Sequence, residues 1–356
     1  MKVAYIGPAT GDGAPWGIAE WRAIQILRDE INENGGLLGG RQLEVIQYDN
    51  RMDNIESANA ARKAIQNDNV CAIVGSNASS NAIALAGVCN DMGVPQVATT
   101  ATNYNVTMDD EDNVRPYTFR ATIIDPQQGT MISDYAIDSL GITSAAVLYE
   151  IGSDYSVGLK DAFVANCEAR GIPVLAVEAY KTGDVDFRSQ LTKINQNPPD
   201  ALFLPALYKE IGLIANQARG LGLEATFLGG DSWSSTDLIG LAGASVEGSY
   251  FVMGVNLQDP ALDSFKAEYL ERYGDEAGAE GGNCFFGYDA LLMVVKAIEK
   301  AGSDDREKIR DALEALEGVE GLTKTITINP ETHNPATGGV IFVAHEDGVE
   351  FVTRME

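Results

Sequence analysis

The sequence predicts an α/β protein of two doubly wound lobes on parallel sheets, and three observations carry that prediction. Short apolar runs alternate with amphipathic helical stretches along most of the chain. The alternation restarts after residue 120, which marks a second lobe. Polar and aromatic residues stand just after the apolar runs, where the carboxyl ends of parallel strands converge on one crevice. With 356 residues, 45% of them hydrophobic, the chain has material for about two domains of ordinary size.

The elements follow in order. Residues 3–6 are an apolar run ended by Gly7-Pro8, and the stretch 16–31 carries Ile18, Trp21, Ile24, Leu27 and Ile31 at spacings of three and four. Asn34-Gly35-Gly36 and Gly39-Gly40 stop this helix before a strand at 43–48. The unit repeats as helix 54–66, strand 71–74, helix 79–91 and strand 95–98. After a β run at 117–120 come helix 126–140, strand 145–149, helix 156–170, strand 174–179, helix 187–195, strand 201–204, helix 209–221 and strand 226–228. Beyond Ser249 the pattern turns helical, at 262–273, 286–301 and 305–316, before β runs at 325–328 and 340–344. Those late helices need a sheet to cover. Both lobes are therefore expected to be discontinuous, 1–120 with 252–327 and 121–251 with 328–356.

Composition excludes several function classes. Lys and Arg number 25 against 52 Asp and Glu, a net charge of −27 that repels polyanions and argues against nucleic acid as a partner. No apolar stretch approaches the ~18 to 20 residues of a membrane span, and the chain enters strand pattern at once, as in a cytoplasmic protein or a mature form whose leader has been removed. Cys71, Cys89, Cys167 and Cys284 lack the close pairings of zinc or redox sites and read as buried thiols; whether Cys71 and Cys89 pair is open. His333 and His345 join no metal cluster or nucleophile and base pair, and read as surface groups. Gly11-Asp12-Gly13 invites a dinucleotide reading, but Trp16 occupies the third glycine position and no P-loop lysine exists. Neither an enzyme nor a bound cofactor is expected.

The candidate binding residues each carry two readings. Ser79 follows a strand through Gly75 and is placed as an N-cap, which either closes the helix or leaves neighbouring N–H groups for a carboxylate. Thr99-Thr100-Ala101-Thr102 offers small hydroxyls and open backbone, or a turn that satisfies itself. Asp231, after Gly229-Gly230 and near Trp233, is either a counter-charge for an ammonium or a solvated loop acid. Tyr155 and Tyr208, at helix starts, supply an apolar wall with a hydroxyl, or belong to the core. Trp16 either closes one side of a pocket or staples the following helix.

The string Val3-Ala4-Tyr5-Ile6-Gly7-Pro8 with Gly11 and Trp16-Gly17, followed by Ile31-Asn32 and Asn34-Gly35-Gly36, resembles the opening of the branched-chain amino acid-binding proteins of ABC transporters. The resemblance continues in order through Val74-Gly75 with Ser79-Ser80, Gly93-Val94-Pro95, Phe119-Arg120 with Asp125 and Gln128-Gly129, Asp154-Tyr155 with Gly158, Gln217-Ala218-Arg219 and residues 227–231. It implies two Rossmann-like lobes joined by a three-strand hinge, the type I periplasmic binding fold, with the ligand in the cleft between them. It also implies an extracytoplasmic monomer, periplasmic or a cell-surface lipoprotein, that closes on a free L-amino acid and delivers it to a permease. In that pattern Ser79 meets the ligand carboxylate, Thr100, Ala101 and Thr102 line the first lobe, and Asp231 binds the α-ammonium. Asn77, Ala78, Glu150, Asn283 and Phe286 are candidate side-chain selectors, and the polar Asn77 and Glu150 weigh against strict Leu, Ile or Val specificity. The alternative function is a sensory module of the same architecture that signals through a protein partner.

Overall fold

The structure, a computed structural model, describes residues 1–355 and divides into two compact units, residues 1–122 with 259–337 and residues 123–258 with 338–356. The chain therefore passes between the units three times, at 122/123, 258/259 and 337/338.

The first unit opens as the periodicities predict. Strand β1 (Lys2–Gly7) runs into helix α1 (Ala14–Glu33), followed by β2 (Glu44–Asp49), α2 (Asn54–Gln66), β3 (Ala72–Gly75), α3 (Ser79–Met92), β4 (Gln96–Ala98) and β5 (Thr118–Arg120). The five strands are parallel in the order β2-β1-β3-β4-β5. Central strands buried on both faces cannot alternate, and residues 3–6 are indeed all fully buried. One face of the sheet packs Ala4, Ile6 and Ile73 on Ala61, Ala64, Leu85 and Val88 of α2 and α3. Helix α1 turns inward a stripe that matches the expected one only in part. Ala23, Ile24, Ile26 and Leu27 are buried with Glu20, whereas Ile18 and Trp21 are only partly covered.

The second unit begins with α4 (Asp125–Asp138) and continues with β6 (Ala145–Glu150), α5 (Asp154–Ala169), β7 (Val174–Tyr180), α6 (Arg188–Asn195), β8 (Ala201–Phe203), α7 (Tyr208–Gly220), β9 (Thr226–Gly229), α8 (Thr236–Ala242) and β10 (Ser249–Met253). Helices α4 and α5 approach closely because Gly129 has no side chain; a Cβ there would stand 2.5 Å from that of Ala162. Residues 249–253 carry an element that the periodicities left unassigned before the helical pattern. They form a strand pairing β9 in parallel, with Phe251 and Val252 fully buried.

The chain returns to the first unit with α9 (Asp263–Tyr273), α10 (Glu276–Glu280), α11 (Asn283–Ala301), α12 (Arg306–Glu314) and a small hairpin of β11 (Val319–Glu320) and β12 (Thr325–Ile326). It then finishes on the second sheet with β13 (Gly339–His345) and β14 (Gly348–Met355), antiparallel to their neighbours, in the order β14-β13-β10-β9-β8-β6-β7. The unit boundaries lie at 258 and 337, not at 251 and 327 as the sequence reading placed them. Strand β10 sits inside the second sheet, so 252–258 stays with it. Residues 328–337 stay with the first unit, where Arg120 N donates to His333 O at 3.4 Å and Thr107 Oγ1 to Asn334 Oδ1 at 3.1 Å.

His333 is thus no surface group. It is 1% exposed, stacks on Phe119 at 4.1 Å, and burial lowers its pKa. His345 is partly exposed beside Glu247, with 2.7 Å from Nδ1 to the carboxylate. All four cysteines are buried free thiols. No helix among the described residues is long and apolar enough to cross a membrane.

Candidate functional site

In the first unit the candidate residues sit at the carboxyl ends of β1, β3 and β4 and at the start of α11. Asn77 and Ala78 form the link from β3 to α3, and Asn77 Oδ1 accepts the Ala78 N–H at 2.8 Å. The N-cap of α3 is Ala78, with no side-chain cap, so Ser79 is the first helical residue and not the cap expected. Its hydroxyl instead accepts the N–H of Asn103 at 3.2 Å, tying the loop after β4 to the helix start. Gln96 reinforces the same corner, its Nε2 2.9 Å from Gly75 O and 3.2 Å from Ala82 O.

The threonine loop is held from behind by a buried cation. Arg120 donates to Ala101 O at 3.0 Å and to Asn103 O at 2.8 Å. Among the corner's side-chain atoms buried without a hydrogen-bond partner among the described residues are Asn77 Nδ2 and Thr102 Oγ1. Thr100 Oγ1 lies 3.3 Å from Glu20 Oε1 and 3.4 Å from Asn283 Nδ2. Trp16 stands in the first turn of α1, partly buried, and Phe286 in the first turn of α11, 3% exposed.

Glu20 is the residue that the sequence reading missed. It is fully buried, Tyr5 Oη lies 2.8 Å from its Oε2, and burial pushes its pKa up to about 7 against the opposing hydrogen bonds of Tyr5, Thr99, Asn283 and Thr100. The signal was present: Glu20, Ile24 and Leu27 follow one another at spacings of four and three, which puts the carboxyl on the inward stripe.

In the second unit the candidates gather after β6, β8 and β9. Asp231 opens a short 3₁₀ turn, Asp231–Ser234, and Tyr155 Oη donates to its Oδ1 at 2.9 Å. Its backbone N–H donates to Gln128 Oε1, also at 2.9 Å. Gly230 permits the approach, since a Cβ there would stand 2.8 Å from Tyr155 Oη. Burial raises the Asp231 pKa to about 6, more than these neutral donors lower it. Ser232 Oγ bonds Ala206 O, and Trp233 Nε1 donates to Leu204 O at 3.1 Å, so the turn is anchored to the end of β8. Tyr208, 6% exposed, is the first residue of α7. Glu150, the last residue of β6, is 8% exposed and receives the Thr182 hydroxyl.

The chain thus carries two polar clusters, each at the carboxyl end of its own sheet. One offers hydroxyls, amides and a helix start; the other a carboxylate with a phenol. No group of three or more His, Cys, Asp or Glu among the described residues is arranged to hold a metal.

A family model described as periplasmic binding protein matches residues 1–348. The chain belongs to the periplasmic binding protein family. Proteins of this family bind solutes and are not enzymes. Among the relatives, the leucine-, isoleucine-, valine-, threonine- and alanine-binding protein of Pseudomonas aeruginosa is 29% identical over 322 residues, covering 88% of this chain and 82% of its own. The leucine-binding protein LivK of Thermotoga maritima superposes with a TM-score of 0.91 at 33% identity, covering 100% of this chain and 99% of its own. The branched-chain amino acid transporter binding protein LivJ of Streptococcus pneumoniae, solved with isoleucine, gives a TM-score of 0.86 at 27% identity, with 99% of each chain covered. The type I periplasmic binding fold inferred from the ordered motifs is therefore the fold of this chain.

Proposed function

We propose that this periplasmic binding protein captures a free L-amino acid, branched-chain or another neutral one, by closing its two units around it, and presents it outside the cytoplasm to an ABC permease. The observation that carries the reading is Asp231. A partly buried carboxyl whose pKa is raised to about 6 while neutral groups donate to it gains most from a cation, and an α-ammonium supplies one. Ser79, the backbone of the threonine loop and Thr102 Oγ1 offer the complementary donors for an α-carboxylate. Trp16, Ala78, Tyr155, Tyr208 and Phe286 supply apolar contact, while Asn77, Glu150 and Asn283 bring polar groups to the same stations. The names of the relatives support the ligand class: they are amino acid-binding proteins. The protein acts as a monomer, and a lipid anchor at the cell surface fits the same role.

A thermal-shift panel of the twenty amino acids with γ-aminobutyrate and aromatic acids tests this, because a ligand bound only by the native state raises the melting temperature with concentration. Neutral L-amino acids are expected to raise it. A response confined to acids without an α-ammonium sinks the amino acid reading. Small-angle scattering of stripped and saturated protein tests closure: the radius of gyration is expected to fall on binding, and equal radii would rule hinge closure out.

A further inference from the structure

The first unit holds a buried cation for which the clamp just described has no use. Lys324 is the last residue of the turn between β11 and β12, and its backbone is fixed on both sides. Gly321 N donates to Lys324 O at 3.0 Å, and β11 pairs with β12 through Glu320 and Thr325. The turn is pinned in addition by the fully buried Asp289 of α11, which accepts the N–H of Leu322 at 2.6 Å and both the N–H and the hydroxyl of Thr323, at 3.0 and 2.5 Å. Gly321 lets that carboxylate in, since a Cβ there would stand 2.7 Å from Asp289 Oδ1. With its turn so held, Lys324 projects its ammonium over the Phe286 ring, 5.9 Å from the centroid, and Nζ is buried without a hydrogen-bond partner among the described residues.

Three α11 residues spaced by three, Asn283, Phe286 and Asp289, link this ammonium to the ligand station. Asn283 Nδ2 lies 3.4 Å from Thr100 Oγ1 at one end, Phe286, a candidate side-chain selector, lies in the middle, and Asp289 holds the Lys324 turn at the other. The stripe is about 9 Å long. Asp289 attracts the ammonium electrostatically, but three donors already occupy its oxygens, and burial still lowers the Lys324 pKa to about 8. A buried ammonium with open donor capacity favours an incoming oxygen acceptor.

We propose that Lys324 is a specificity-determining residue that hydrogen-bonds an oxygen acceptor at the end of the ligand's side chain, so that the amino acid taken carries a carboxylate or amide there and is not purely aliphatic. The assignment rests on the amino acid reading above and, where the acceptor is a carboxylate, extends it beyond the neutral class. The ligand passes along Phe286 with its aliphatic stem and meets Lys324 with its polar end.

Calorimetric titration of the full chain with L-glutamate, L-glutamine and L-leucine, in wild type and Lys324→Met, tests it. Glutamate or glutamine is expected to bind wild type at least as tightly as leucine. Lys324→Met, which keeps the stem and removes the charge, is expected to weaken that ligand by on the order of tenfold or more and leave leucine equal or tighter. A greater loss for glutamate than for glutamine identifies the acceptor as a carboxylate; equal losses identify an amide oxygen. The ligand-free melting temperature of Lys324→Met should hold or rise, since an unpartnered buried cation has gone. An unchanged ranking of the three ligands in the variant overturns the assignment and leaves the amino acid reading standing, and a fall in melting temperature with that ranking makes Lys324 a structural partner of Asp289. Wild-type protein that binds none of the twenty amino acids overturns both readings.

Discussion

The polar clusters of the two units occupy equivalent places, the carboxyl ends of central strands, yet they solve opposite electrostatic problems. After β3 and β4 the first unit presents hydroxyls, amides and the N–H groups of α3, with its one carboxyl, Glu20, sealed behind Thr100 and raised to about 7 by burial. After β9 the second unit presents the carboxyl itself, Asp231, at the cluster's centre and backed by a phenol. A doubly wound sheet decides where such stations stand; the short loops that follow each strand decide their charge.

The largest expected effect tests the anionic cluster. Asp231→Ala should weaken amino acid binding by about 2 to 5 kcal/mol, as when a buried charge loses its partner. Ligand-free stability should change far less, since Tyr155 and Ser232 retain each other. Calorimetry showing wild-type affinity in this variant would remove Asp231 from the site and end the contrast between the clusters.

The two carboxyls should separate in their pH dependence. Each has a folded pKa above its ordinary value, so the folded state binds the extra proton; the contribution of these two groups to stability is full below about pH 4 and is lost as pH rises through the folded values. Melting temperature should therefore decline between about pH 4 and 7. Glu20→Gln should flatten the upper part of that decline. Binding an ammonium lowers the Asp231 pKa, so affinity should fall by up to about tenfold per pH unit below pH 6 in wild type and much less in Asp231→Asn. A melting profile that Glu20→Gln leaves unaltered would show that Glu20 does not titrate in this range.

A smaller effect belongs to the neutral cluster. Asn77 Nδ2 is buried without a partner, at a cost of about 1 to 3 kcal/mol for such a group. Asn77→Leu should shift preference toward leucine, isoleucine and valine and leave the Asp231 clamp intact. An unaltered ranking across the ligand panel would make Asn77 a structural residue of the link from β3 to α3 and place selection elsewhere.

Much of this was legible in the sequence because the signals are local. Apolar runs and three-four spacings predicted every strand from β1 to β9 and every long helix, and the positions just after the strands hold the clusters. Local signals failed where burial is decided by distant partners. Ser-Tyr-Phe-Val-Met at 249–253 lacks a strand's alternation because β9 and β13 flank it, and His333 looked like a surface group until its ring met Phe119, more than two hundred residues away. Ser79 showed the same limit, since which residue caps α3 depends on backbone geometry and not on residue type.

By itself, then, the sequence determined the doubly wound class, the charge that repels polyanions, and the stations where polar groups would gather, because these follow from periodicity, composition and strand polarity. Only the tertiary structure decided which polar groups are left without partners. Glu20 became a sealed acid because α1 turns that stripe inward against Tyr5, and Lys324 a buried cation because Asp289 holds its turn beside Phe286. A side chain's burial and protonation depend on neighbours from other elements of the chain, and those neighbours are assembled by packing.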